Sequence, residues 1–132
     1  MPATVEKLPD EPIILVTVDG HFDIEVARGI YAEIARLAEQ IEGKIYRITD
    51  LRKQTTSFSD TVQVVKEASQ GLPGTTSDPR IVNIFIGRDQ VSPITLNAMR
   101  KQNPDGHGVL DTLEDALEYV RWQIQLHNGE AS

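Results

Sequence analysis

Apolar residues along this chain alternate between two periods, and the switches mark its elements. The nearly unbroken run 13-IILVTV-18 predicts a strand covered on both faces, ending at the turn pair Asp19-Gly20. Residues 3-ATVEKL-8 predict a short edge strand before it, with 9-PDEP-12 as the connecting turn. From Asp23 to Ile41 the period lengthens. Ala27, Ile30, Tyr31, Ile34, Leu37, Ala38 and Ile41 recur at steps of three and four, forming one apolar helical stripe. Asp23 suits its N-cap and Gly43 its stop. The stretch 44-KIYRITDL-51 returns to a strand pattern.

A second helix is predicted from about Asp60 to Gln70, with Thr61, Val64, Val65 and Ala68 on its inner face. The segment 71-GLPGTTSDP-79 reads as a loop, and 81-IVNIFI-86 as another buried strand. Ser92 before Pro93 marks a helix start, with the helix reaching about Gln102. The residues 103-NPDGHG-108 read as a turn, leaving Val109-Leu110 for a very short strand. Asp111 and Glu114 have capping-box spacing ahead of the stripe Leu113, Ala116, Leu117, Val120 and Ile124. Residues 128–132 are expected to fray. The order β-β-α-β-α-β-α-β-α predicts an α/β fold: one mostly parallel sheet with an antiparallel edge strand, forming a single domain over residues 1–132.

Composition narrows the partners. The chain has 132 residues, no cysteine and a formal net charge of -7. Disulfides and cysteine nucleophiles are thereby excluded. A phosphate backbone would be repelled, and no cluster of cations with interleaved aromatics offsets this, so nucleic acid is not an expected partner. No apolar run approaches the length of a bilayer span, and the N-terminus lacks a signal-peptide layout, so no membrane association and a cytoplasmic location are expected.

Enzyme motifs are missing. No Walker lysine follows a glycine loop, and no serine sits in a nucleophile elbow. His21, His107 and His127 lack the helical spacing of a zinc hydrolase. His21 with Asp19 and Asp23 offers a weak hard-cation site, against which stands the plainer reading of surface turn residues. No cofactor is expected. The stretch 49-TDLRKQTTSFSD-60 remains, with its hydroxyls, aspartates and cations between two apolar runs. It follows a strand and precedes a helix, the position where open α/β sheets place their sites. Asp60 with Gln63 also fits a capping box, and a hydroxyl-rich loop can both cap and bind.

The chain resembles a STAS-type domain, the fold of bacterial anti-sigma-factor antagonists and of sulfate-transporter cytoplasmic tails. The resemblance runs through 18-VDGHFD-23, 48-ITDLRKQTTSFSDTV-62 and 112-TLEDALEYV-120, in that order. In the antagonists, a serine at the second helix start is phosphorylated by a partner kinase, and its state governs binding. Aligning Phe58 with the family's hydrophobic position puts Ser59 on its aspartate site and Asp60 on its phosphoserine site. Asp60 then carries a fixed charge where relatives switch one on, with Ser57, Ser59 and Thr61 as the nearby hydroxyls.

The resemblance implies a non-enzymatic regulatory module that docks another protein, a regulatory kinase or an anti-sigma-like partner. Its expected surface is the loop and N-terminus of the second helix, centred on Asp23, Asp50, Ser57, Ser59, Asp60 and Thr61. A homodimer would use that surface symmetrically. Two other readings compete. One is a small-ligand domain holding a nucleotide or lipid in a crevice near the same helix. The other is a phosphoacceptor at Asp50, which lacks an acidic pair after the first long strand.

Overall fold

The computed structural model describes residues 3–68, 78–102 and 107–131. Strand β1 (Ala3–Lys7) is followed by β2 (Ile13–His21), helix α1 (Ile24–Ala38), β3 (Ile45–Thr55) and α2 (Phe58–Ala68). Then come β4 (Ile81–Ile86), a 3-10 turn at Arg88–Gln90, α3 (Pro93–Gln102), β5 (His107–Leu110) and α4 (Leu113–Ala131). The expected loop at 71–77 and turn at 103–106 lie outside the described residues.

The five strands lie in chain order, β1 antiparallel to β2 and all later neighbours parallel. This is the expected α/β sheet with an antiparallel edge. Because each parallel step moves the same way along the sheet, right-handed crossovers put their helices on one face. Strand alternation then divides the core into two layers. Ile14, Val16, Val18, Ile45 and Leu51 pack with Ile30, Ile34 and Leu37 of α1. On the opposite face Ile13, Ile48, Val82, Ile84 and Ile86 pack beneath Ala116 and Val120 of α4. Leaving through the last strand, α4 is the one helix free to cover that second face.

Two charged side chains, those of Arg47 and Asp78, are buried among the described residues. Arg47 is buried beside Ile45 on the α1 face. Its guanidinium donates to Asn83 Oδ1 on β4 and sits 5.9 Å from the centre of the Tyr31 ring. Burial pushes its pKa down, opposed by Tyr31 and Asp78.

Element ends depart from expectation in specific ways. Helix α1 closes at Ala38 rather than near Ile41; the following carbonyls of Ile41 and Gly43 accept hydrogen bonds from Arg80 instead of continuing a helix. Helix α4 starts at Leu113 with Thr112 Oγ1 accepting from Asp115 N, one residue later than the Asp111 and Glu114 pair suggests. Its helical backbone reaches Ala131, where fraying was expected. Ser92 caps α3 as expected, its Oγ accepting from Thr95 N at 3.2 Å.

Candidate functional site

The polar stretch after Ile48 is half strand. β4 ends at Ile86, which pairs with Asp50, whereas β2 and β3 continue past an irregularity between Thr17 and Asp19. There Asp19, Gly20 and His21 pair with Lys53, Gln54 and Thr55. The expectation of a strand ending at Leu51 and a loop from there to Asp60 is therefore corrected. Beyond Asp50 the strand runs on to Thr55, Lys53 to Thr55 forming a two-stranded parallel ribbon with the end of β2, and the connection is only Thr56 and Ser57. Backbone pairing with β2 outweighs the low strand preference of these polar side chains.

The ribbon is tied down. Gln54 donates its side-chain amide to Gln90 O at 3.2 Å. Gly87, just before the 3-10 turn, has φ of 103°, and a Cβ there would lie 3.3 Å from Arg52 N. A side chain at that position would meet both strain and backbone. At the ribbon's end Phe22 N donates to Thr55 O (2.8 Å), and Thr56 Oγ1 donates to Phe22 O (2.9 Å). These two bonds lock the exits of β2 and β3 together, so α1 and α2 begin side by side.

Each helix start is capped. Asp23 Oδ1 accepts from Val26 N at 3.0 Å, as expected. Ser57, not Asp60, caps α2. Its Oγ accepts from Asp60 N (3.1 Å) and donates to Asp60 Oδ2 (2.8 Å). The Asp60 and Gln63 spacing is thus a wrong register for a correct kind of motif. Asp60 sits in the first turn of the helix, where its carboxylate meets the positive end of the helix. His21 Nε2 lies 2.9 Å from the same Asp60 Oδ2. The Ser57 hydroxyl first, and His21 second, hold the Asp60 carboxyl below its ordinary range.

The remaining expected residues separate. Asp50 faces its own strand: Arg52 reaches it through Nε (3.0 Å) and Nη2 (2.7 Å), and Arg52 N bonds it as well. That arginine lowers the Asp50 pKa. Asp50 shares no hydrogen bond with the α2 start among the described residues. Thr61 donates its hydroxyl to Ser57 O at 2.9 Å, and it faces inward. Ser59 is exposed, and its hydroxyl makes no hydrogen bond among the described residues.

Two functional candidates went unseen in the sequence. Phe58 is 74% exposed and Val62 is 39% exposed, one turn apart on α2. Their spacing of four was legible, but they fall out of phase with the buried stripe of Val64 and Ala68. The contact between His21 and Asp60 spans 39 residues and leaves no local trace. Beneath α2 lies a cavity of about 90 Å³ walled by Phe22, Leu51, Val64 and Phe85. Asp19, His21 and Asp23 do not assemble as a cation site: His21 turns to Asp60, and no group of three or more metal-ligating side chains occurs among the described residues. No described helix is long and apolar enough to cross a membrane.

A mostly parallel five-stranded sheet in this order, with one covering helix opposite three, is a STAS-like fold. Solved structures bear this out. The anti-sigma factor antagonist SpoIIAA in its unphosphorylated form is 20% identical with a TM-score of 0.56, covering 90% of this chain and 97% of that one. A serine-to-glutamate variant of RsbS from Moorella thermoacetica is 13% identical with a TM-score of 0.59, covering 95% and 99%. An anti-sigma factor antagonist from Mycobacterium paratuberculosis is 19% identical with a TM-score of 0.52, covering 90% and 94%. Such identities make the likeness one of fold. No family model and no curated protein matches the sequence.

Proposed function

We propose that this chain is a non-enzymatic regulatory module that docks another protein through the N-terminus of α2. The observation carrying this is the exposed pair Phe58 and Val62 beside the polar cap of Ser57, Ser59 and Asp60. Large apolar side chains in water, rimmed by polar groups, mark contact surfaces. The fold shared with anti-sigma factor antagonists supports the same reading. The partner is a regulatory kinase or an anti-sigma-like protein.

The geometry speaks against catalysis at this rim. Ser57 and His21 both bond the single oxygen Asp60 Oδ2, so the carboxylate stands between hydroxyl and imidazole. A nucleophile needs its base in direct contact. A small ligand beside α2 is weaker still: the cavity there, about 90 Å³, is far below the roughly 300–1,000 Å³ of drug-sized ligand pockets.

Phosphorylation, where it occurs, falls on Ser59. Ser57 and Thr61 spend their hydroxyls on the α2 start, whereas Ser59 is exposed. Phosphate there gains from the helix N-terminus and loses to the neighbouring Asp60, terms of about 1 kcal/mol or less each.

The test is affinity capture from the native host with wild type, Phe58→Ser, Asp60→Lys and, as a control on α4, Trp122→Ser. A partner should be lost with the first two variants and kept with the third. Identical captured sets from all four proteins would sink the proposal. Peptide mass spectrometry over residues 55–61 tests the phosphate separately.

A further inference from the structure

The free edge of the sheet carries a second, unrelated surface. β1 pairs only with β2, so its outer side has no partner strand among the described residues. The direction of its backbone follows from one bond. Leu8 N donates to Ile13 O, the next rung after the pair Lys7 and Ile14. In an antiparallel ladder bonding alternates along the strand, so Thr4 and Glu6 turn their backbone groups to β2 as Leu8 does. Ala3, Val5 and Lys7 then present their N–H and C=O outward. Their side chains share one face, the α1 face, where Ala3 and Val5 border the core.

Between this edge and α1 runs a groove of about 630 Å³. Val5, Val26 and Ile30 form its floor, and Gly29 leaves it open, since a Cβ there would meet nothing within 4 Å. Glu25 stands at one end in the first turn of α1. Helix α1 leaves the C-terminal end of β2 and so runs alongside β1 in the same direction, which places Glu25 at the Ala3 end.

We propose that the occupant of this edge is a second copy of the chain, pairing β1 with β1 antiparallel about a two-fold axis at Val5. The strand is self-complementary in that register. Val5 meets Val5 of the other copy, and Lys7 falls opposite Ala3, on the same face as the Glu25 carboxylate of the facing copy. Two-fold symmetry makes this cation and carboxylate contact twice. The outward groups of Ala3, Val5 and Lys7 supply about six backbone hydrogen bonds, giving one continuous ten-stranded sheet of roughly native strand spacing. A net charge of -7 on each copy opposes association, so the contact depends on this local match of sign. The α2 rim stays open in such a dimer, and this inference stands or falls apart from the docking proposal.

The test is sedimentation velocity on the full chain up to about millimolar concentration, with Lys7→Glu, Glu25→Lys and the double exchange. All three variants should melt close to wild type, since Glu25 is exposed and the half-buried Lys7 gives up only a bond to the adjacent Leu8 O at 3.2 Å. Wild type should show a concentration-dependent dimer. Each single reversal should weaken it about tenfold or more, because symmetry applies every substitution twice, and the double exchange should restore it. A wild type that stays monomeric, a dimer indifferent to the single reversals, or a double exchange that fails to rescue would each overturn the proposal. So would a monomer whose Ala3, Val5 and Lys7 amides shift on adding an extended peptide, which would give the edge to another protein.

Discussion

Removing the Ser57 hydroxyl is the sharpest check on how the α2 rim is built. In Ser57→Ala the Asp60 N–H loses its acceptor at 3.1 Å, and the Asp60 carboxylate loses its donor at 2.8 Å. Both groups sit at the surface, so water replaces the hydroxyl and the cost is that of a lost N-cap rather than a buried orphan, about 1 kcal/mol. Thr61 keeps its two bonds to Ser57 O, which use only the backbone oxygen. With 132 residues and about 2.1 cal/mol/K of unfolding entropy each, the chain gains roughly 0.28 kcal/mol/K on melting. A loss of about 1 kcal/mol therefore lowers Tm by about 3 to 4 °C.

Calorimetry or urea titration reads this directly, with Ser59→Ala as the neighbour that should cost almost nothing. Ser57→Thr should recover most of the loss, because threonine offers the same acceptor. The opposite pattern would refute the reasoning: Ser57→Ala neutral while Gln63→Ala is costly puts the cap at Asp60, three residues further on. Equal losses at Ser57 and Ser59 would mean that neither hydroxyl has the role assigned to it.

Two further outcomes follow from the same rim. Asp60 is held below its ordinary 3.8 by Ser57 and then His21, so its contribution is present above that value and is lost as pH falls through the lower folded pKa. Asp60→Asn should thus shrink the stability difference between pH 7 and pH 3 measured by urea unfolding; an unchanged difference would contradict the pairing. Gly87→Ala should destabilise by about 1 to 3 kcal/mol, since φ of 103° strains any side chain and the new Cβ would press on Arg52 N. A Gly87→Ala protein as stable as wild type would show that the ribbon yields freely at that point.

The centre of the sheet was legible because its strands are buried on both faces there. Runs such as 81-IVNIFI-86 have no polar alternation to confuse, and the helices between them show a single stripe each. The rim was not legible in the same way. Residues 52-RKQT-55 have a partner on one side only and solvent around them, so no apolar pattern records that they are strand. Missing that extension shifted the next boundary, and the cap was assigned to Asp60 instead of Ser57. A similar slip moved the α4 cap from Thr112 to Asp111, because Thr-x-x-Asp and Asp-x-x-Glu are offset there by only one residue. Spacing alone cannot choose between overlapping boxes; the end of the preceding strand does.

Arg47 shows the same limit from inside the core. Its neighbours in 44-KIYRITDL-51 predict a strand, and alternation puts Arg47 on the α1 face with Ile45 and Leu51. What makes a guanidinium tolerable there is Asn83 in register on β4, Tyr31 arriving from α1 and the buried Asp78 ahead of β4. An arginine in a strand covered on both faces is a local rule broken, and its compensation comes from groups remote in sequence. The polar rim obeys the same logic. His21 reaches Asp60 only because adjacent parallel strands end together, so their exits, and the helices they start, are forced into one place. Topology thus assembles the site, and the sequence supplies only the side chains that profit from the meeting.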